Sequence, residues 1–260
     1  MNRIIVFALM FFCMTMQIEA QTLSEEEVTA KMYQAFELNK AAKKAEALEL
    51  FLIVGENTKQ QRNEGERQVY VCSQTMACQC YELLGRYKEG YLLGKSLLQG
   101  KLNDTERKDV GHLYAMNGYM YACEFIQRDE KGRADYKRGR ELISEILPYS
   151  DGQVKEYAET KIPLSWYFEG AQYAMTQSYD EALSSYEEAL NGFRDLGRVS
   201  EEVDVLSGIA SVKAHLCKFD EAKRVYYQAF VLAHQNGKVN KQMDVLRELW
   251  SLGNSTGDMK

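Results

Sequence analysis

The residues with chemical capacity are scattered. Beyond position 20 the chain carries five cysteines (Cys72, Cys78, Cys80, Cys123, Cys217) and three histidines (His112, His215, His234). Thiolate and imidazole suit zinc, but a zinc site needs pairs of ligands at short spacing converging from two segments, and these residues offer none. Cys72, Cys78 and Cys80 fall within one predicted helix, where Cys78 and Cys80 diverge by about 200° and Cys72 lies about 12 Å from Cys80 along the axis. They cannot bridge one another and read as small buried thiols. Gly90 to Ser96, G-Y-L-L-G-K-S, falls one residue short of a phosphate-loop spacing, and it lies in a predicted helix where phosphate binding needs a turn after a strand. Glu187 and Glu188 occupy solvent-facing helix positions, without the shaped cleft that acid and base catalysis requires. No two histidines stand four apart and no serine sits in a G-x-S-x-G elbow. The expectation is a protein with no catalytic residue, no metal and no cofactor.

A second kind of chemistry is electrostatic. Between Arg128 and Arg140 stand Arg128, Lys131, Arg133, Lys137, Arg138 and Arg140 against Asp129, Glu130 and Asp135, in a chain of net charge −6. Such a segment can dock an acidic partner or a lipid headgroup, or it can be a solvated face. The acidic balance of the whole chain argues against nucleic acid as a partner.

The compartment is read from the amino terminus. The stretch from Ile4 to Met16 carries no charge, and it is preceded by Arg3 and followed by a more polar stretch to the small residue Ala20. That is the pattern of a secretory signal peptide cleaved near Ala20, and a spanning helix would need roughly 20 apolar residues. The expected location is outside the cytoplasm, most simply the periplasm, with membrane contact only through an uncleaved signal anchor. Met10, Phe11 and Phe12 before Cys13 are too large for a lipoprotein signal.

The elements that position these residues are helical. Two prolines in 260 residues suit long helices. Self-similarity is clearest from Trp166 to Ala189, where Trp166, Gly170 and Tyr173 are followed by Tyr179, Asp180, Glu181, Ala182, Tyr186 and Ala189. Leu206, Ala210, Phe219, Asp220, Glu221, Ala222, Tyr226 and Ala229 repeat the pattern, each forty positions beyond its counterpart. Small residues then mark five first helices (Ala35, Cys78, Gly118, Gly170, Ala210) and five second helices (Ala47, Gly90, Gly139, Ala182, Ala222). The two marks keep one constant separation in every pair except the third, where Gly118 and Gly139 stand nine positions further apart, so the third pair carries an insertion. Ser24 with Glu27 makes a capping box for the first helix, Asp104 or Thr105 can cap the helix leading to Gly118, and Ser150 with Gln153 offers another box. Pro163 stands where a first helix either begins or is kinked. Val239 to Leu252 reads as a closing helix ending at Gly253.

These positions resemble the tetratricopeptide repeat over 24–235, in an elongated variant whose period, about forty positions, exceeds the standard one. Gly94 where a large aromatic is expected, and Lys31 and Gln74 in place of the first-helix aromatic, depart from it. The resemblance implies an all-α, right-handed superhelical solenoid of antiparallel helix pairs, about five repeats plus a C-terminal capping helix. The implied division is a signal peptide (1–20), a repeat array (21–238), a capping helix (239–253) and a polar tail (254–260).

It further implies a non-enzymatic scaffold that binds a protein or peptide along a concave groove lined by first helices. The family's inward positions fall on Met32, Phe36, Gln79, His112, Tyr119, Tyr167, Met175 and His215. That groove would be apolar and aromatic with few charges, and Tyr119, Tyr167 and Met175 read equally well as groove or as core. Signal peptide plus long-period repeats also resembles the extracytoplasmic portion of certain bacterial sensor kinases and their regulators, so a sensory module is the alternative reading.

Overall fold

A computed structural model describes residues 23–127 and 134–256. The predicted signal segment, and Arg128, Lys131 and Arg133 of the basic run, lie outside the described residues. Among the described residues the chain is all-helical: α1 (Glu25–Lys40), α2 (Lys44–Thr58), α3 (Glu64–Leu83), α4 (Tyr87–Leu98), α5 (Asp104–Ile126), α6 (Tyr136–Ile146), a 3-10 turn (Leu147–Tyr149), α7 (Gly152–Met175), α8 (Tyr179–Asp195), α9 (Val199–His215), α10 (Phe219–Gln235) and α11 (Val239–Thr256). Each of the five predicted pairs is present, followed by a closing helix. The chain divides into two compact units, one ending at Leu113 and one beginning at Tyr114.

Small residues position the pairs. All ten of the marked small positions are buried, because two helices approach closely only where neither carries a bulky side chain at the crossing. In the first unit the Cys78 thiol meets the Gly90 carbonyl at 3.7 Å, joining α3 to α4. Gln74, which departs from the aromatic pattern, is buried over Gly55 and donates from Nε2 to the Phe51 carbonyl. A side chain at Gly55 would collide with it. In the second unit a Cβ at Gly139 would stand 2.5 Å from Ile126, and one at Gly170 2.8 Å from the Tyr186 ring and 3.2 Å from the Ala182 carbonyl. Tyr186 is wedged more tightly than its own helix pair requires, since a Cβ at Gly208 on α9 would also lie 2.8 Å from the ring. Burial pushes its phenol up to about 12.

The caps are set by local hydrogen bonding. The Ser24–Glu27 capping box forms, each partner taking the other's backbone N–H. Ahead of α5 the cap is Asn103, one residue before the predicted positions; it accepts from the Glu106 N–H at 2.9 Å while Glu106 accepts from the Asn103 N–H. The expected Ser150–Gln153 box is replaced, because the Ser150 hydroxyl donates back to the Ile146 carbonyl, closing the 3-10 turn. Helix α7 starts at Gly152 and runs through Pro163, which is buried where a Cβ at Gly192 of α8 would touch it at 2.8 Å. Helix α11 continues past Gly253 to Thr256, since glycine stops a helix only when its backbone turns left-handed.

One turn recurs throughout. Ala42, Gly85, Gln177, Gly197, Cys217 and Gly237 each have φ between 60° and 70°. In each case the next residue's N–H reaches back five residues to a carbonyl of the last helical turn: Lys43 to Leu38, Arg86 to Tyr81, Ser178 to Tyr173, Arg198 to Phe193, Lys218 to Lys213 and Lys238 to Ala233. This is a Schellman closure, which favours glycine at its left-handed position. Gln177, Gly197, Cys217 and Gly237 are evenly spaced along the chain, so turn and helix lengths are locked together. A Cβ at Gly197 would meet nothing within 4 Å, so Gly197→Ala is expected to lose about 1 kcal/mol from backbone conformation alone, and Cys217→Gly to gain about as much. Urea unfolding of both variants checks this; equal and unchanged midpoints would contradict it.

Candidate functional site

In the second unit the first helices α7, α9 and α11 lie side by side, and Tyr167, Asp204 and Lys241, one on each, form an evenly spaced diagonal across them. Their spacing is three positions shorter than the repeat, so each step moves one helix across and about one turn along. Lys241 Nζ on α11 donates to both carboxylate oxygens of Asp204 on α9, at 2.6 Å each. Tyr167 on α7 is next in line: its phenol is held above its ordinary range first by burial and then by the Asp204 charge, with Lys241 opposing. The Tyr167 ring also packs on Tyr186, with centroids 5.8 Å apart, so this residue belongs to the core and to the face at once. Asp204 and Lys241 are part-exposed. An ion pair of that exposure contributes about 0.2–1 kcal/mol to stability, too little to explain it as a structural tie.

Further along the same helices, His215 uses Nδ1 to bond the Ser211 carbonyl at 2.8 Å and lies 6.0 Å from the Tyr179 ring. Met175 is exposed at the end of α7. Tyr119 on α5 stacks on Tyr157 of α7 at 6.3 Å, and burial together with the neighbouring Cys123 raises its phenol. Tyr119, Tyr167, Met175 and His215 thus stay at least partly accessible, Met175 most of all, although Tyr167 and Tyr119 are each partly covered by another ring.

In the first unit, Met32 and Phe36 pack into the cluster around Ala47 and Phe51, with Phe36 edge-on to Phe51 at 5.4 Å. Gln79 is half-buried and His112 exposed beside Glu82, whose carboxyl is raised by burial. Phe36 is therefore a packing residue before it is anything else, because the cleft between α1 and α2 needs a large ring opposite Phe51.

The basic run separates into two kinds of residue. Lys137 and Arg138 are exposed, Arg138 pairing with Glu141 on its own helix. Arg140 belongs to neither a patch nor an open surface: its guanidinium stacks over the Trp166 ring at 3.4 Å, bonds Glu169 at 2.8 Å and reaches Ser165 Oγ at 3.3 Å, clamping α6 to α7. Its side chain is 11% exposed, which removes it from any docking surface. Asp204 and Lys241 add one charged pair to the first-helix face, at positions outside the inward set expected from the sequence. Opposite charges set one helical turn short of the repeat period were the available signal for them.

Four of the five cysteines carry thiols raised by burial, Cys78 to about 12. None of the five is in a disulfide. Among the described residues no three His, Cys, Asp or Glu side chains gather to hold a metal ion, and no helix is long and apolar enough to cross a membrane.

No family model matches the sequence, and no curated protein matches it. Solved structures similar to the chain include TTC0263, described as a thermophilic TPR protein of Thermus thermophilus, at 16% identity and a TM-score of 0.33, covering 86% of this chain and 99% of that one. A set of TPR-like repeats from a Podosopora anserina putative kinesin light chain aligns at 14% identity and a TM-score of 0.33, covering 81% of this chain and 96% of the other. The apo form of RapI aligns at 13% identity and a TM-score of 0.34, over 88% of this chain and 84% of RapI. The tetratricopeptide-like character of the fold rests on its own helix pairs, small-residue crossings and recurrent turns.

Proposed function

We propose that the chain is an exported, non-catalytic scaffold that binds a protein or peptide segment along the first-helix face of its second unit. The observation that carries this reading is the Tyr167–Asp204–Lys241 diagonal. It sets an aromatic surface beside a part-exposed carboxylate and ammonium on three successive first helices, in a place where the ion pair adds little to stability. A peptide backbone or a charged side chain can exchange with such a pair, while Tyr167 supplies apolar contact and a phenol. Export rests on residues 1–20 alone.

The test is capture of partners from the exporting cell with the mature chain, against the variant Asp204→Ala/Lys241→Ala. The double variant is expected to lose capture at least tenfold while its melting temperature moves by no more than a few degrees, since a weak exposed pair is all that leaves the fold. Undiminished capture by the variant would overturn the reading. Fusion of residues 1–25 to a phosphatase active only outside the cytoplasm checks export separately.

A further inference from the structure

The face of α11 turned away from the array carries Met243, Leu246 and Trp250, which are 56%, 43% and 62% exposed. Their counterparts one repeat earlier on α9 are Val203, Leu206 and Ala210, at 1%, 6% and 0%. Helix α9 buries that face beneath α10. On the opposite face the two helices agree: Val245 and Leu252 of α11 are buried, as are Val205 and Val212 at the same register on α9. Among the described residues helix α11 therefore presents, uncovered, the surface on which α7 and α9 each receive a second helix. With Arg247 and Leu249 these side chains line an open groove of about 620 Å³.

We infer that this surface is a dimer interface, in which α11 of a second copy of the chain packs antiparallel against α11 of the first. The face supplies its own complement. A two-fold axis crossing between Leu246 and Arg247 sets Met243 of one copy level with Trp250 of the other, a flexible thioether against a large ring. The same axis brings Asp244 of one copy within one helical turn of Arg247 of the other. In the single chain these two form only an exposed pair at 3.2 Å along their own helix, able to exchange partners across the axis. The exposed apolar side chains amount to on the order of 300 Å² per copy, as large as the main apolar patch of many monomers and gathered on one helix face. Doubled, that is about 600 Å² of apolar surface, and the charged residues around it carry the contact toward the low end of specific interfaces, where association is weak and concentration-dependent.

Sedimentation velocity on the full mature chain, from about 1 to 200 µM, reads the association directly. The mass is expected to rise from monomer to dimer across that range, and Leu246→Glu/Trp250→Glu to remain monomeric throughout with unchanged helical circular dichroism. Because double substitution on a helix can disturb folding, a second pair of variants carries the decision. Asp244→Arg alone is expected to weaken the dimer at least tenfold, and Asp244→Arg/Arg247→Asp to restore it, since the axis pairs the exchanged charges again. A concentration-independent monomer, or a dimer indifferent to both the apolar and the charge-exchange variants, would overturn the inference. If the monomer instead binds a helical segment of another protein through Trp250, the second-copy assignment also fails.

Discussion

Gly170→Leu is expected to destabilise the second unit by about 3 kcal/mol or more, enough to unfold much of a marginally stable array at 37 °C. Two contacts decide the size of the loss. A Cβ at this position would stand 2.8 Å from the Tyr186 ring and 3.2 Å from the Ala182 carbonyl, and a backbone carbonyl inside a packed helix cannot rotate away. Helix propensity pulls in the opposite direction by about 1 kcal/mol, so Gly170→Ala should lose only about 1–2 kcal/mol. Gly208→Ala should lose less again, because the nearest atoms it meets all belong to the outer part of the Tyr186 side chain. The order Gly170→Leu, Gly170→Ala, Gly208→Ala in urea unfolding is the prediction. If Gly170→Ala proved stabilising, the helix pair would not be as close as described.

Arg140→Ala should lose about 2–4 kcal/mol. The substitution leaves the Glu169 carboxylate, 17% exposed, without its guanidinium partner and strips the Trp166 ring of its cation. What matters is the orphaned charge rather than the pair as such, so Arg140→Met/Glu169→Met should be milder than Arg140→Met by itself. Chemical denaturation of the three variants measures the difference, and a loss under about 0.5 kcal/mol for Arg140→Ala would show the clamp to be ornamental. Neither Lys137→Ala nor Arg138→Ala is expected to move stability beyond about 0.5 kcal/mol, since both side chains are exposed.

The contrast among these residues explains what can be read in the sequence. Helix pairs are legible because close crossings admit only small side chains: Ala35 with Ala47 and Ala210 with Ala222 announce themselves by size and spacing, and all four are fully buried. The turns are half legible. Gly85, Gly197 and Gly237 are the residues a left-handed position favours, while Ala42, Gln177 and Cys217 adopt the same backbone with no local sign of it. Pro163 is ambiguous in sequence because a proline suits a helix start, and only its seat against Gly192 shows why the helix passes through it. Arg140 reads as surface charge because composition cannot see Trp166 beneath it. Asp204 and Lys241 escape notice for the reverse reason: each is an ordinary surface residue until the helices are laid side by side. The inward positions divide in the same way: Phe36 touches core because the Phe51 ring is within reach, while Met175 at the end of its helix stays exposed.

The even beat of left-handed residues from Gln177 to Gly237 has a kinetic meaning as well. In the second unit every helix from α7 onward finds its main partner next to it in the chain, across a turn of three residues. Little loop entropy stands between one pair and the next, so order can spread outward from whichever pair forms first. Where each neighbour supports the next, stability is greatest in the middle and declines toward the ends. Helix α11, supported on one flank, is then expected to open ahead of α9 and α10, and anything that covers its outer face would act as a brake on that opening.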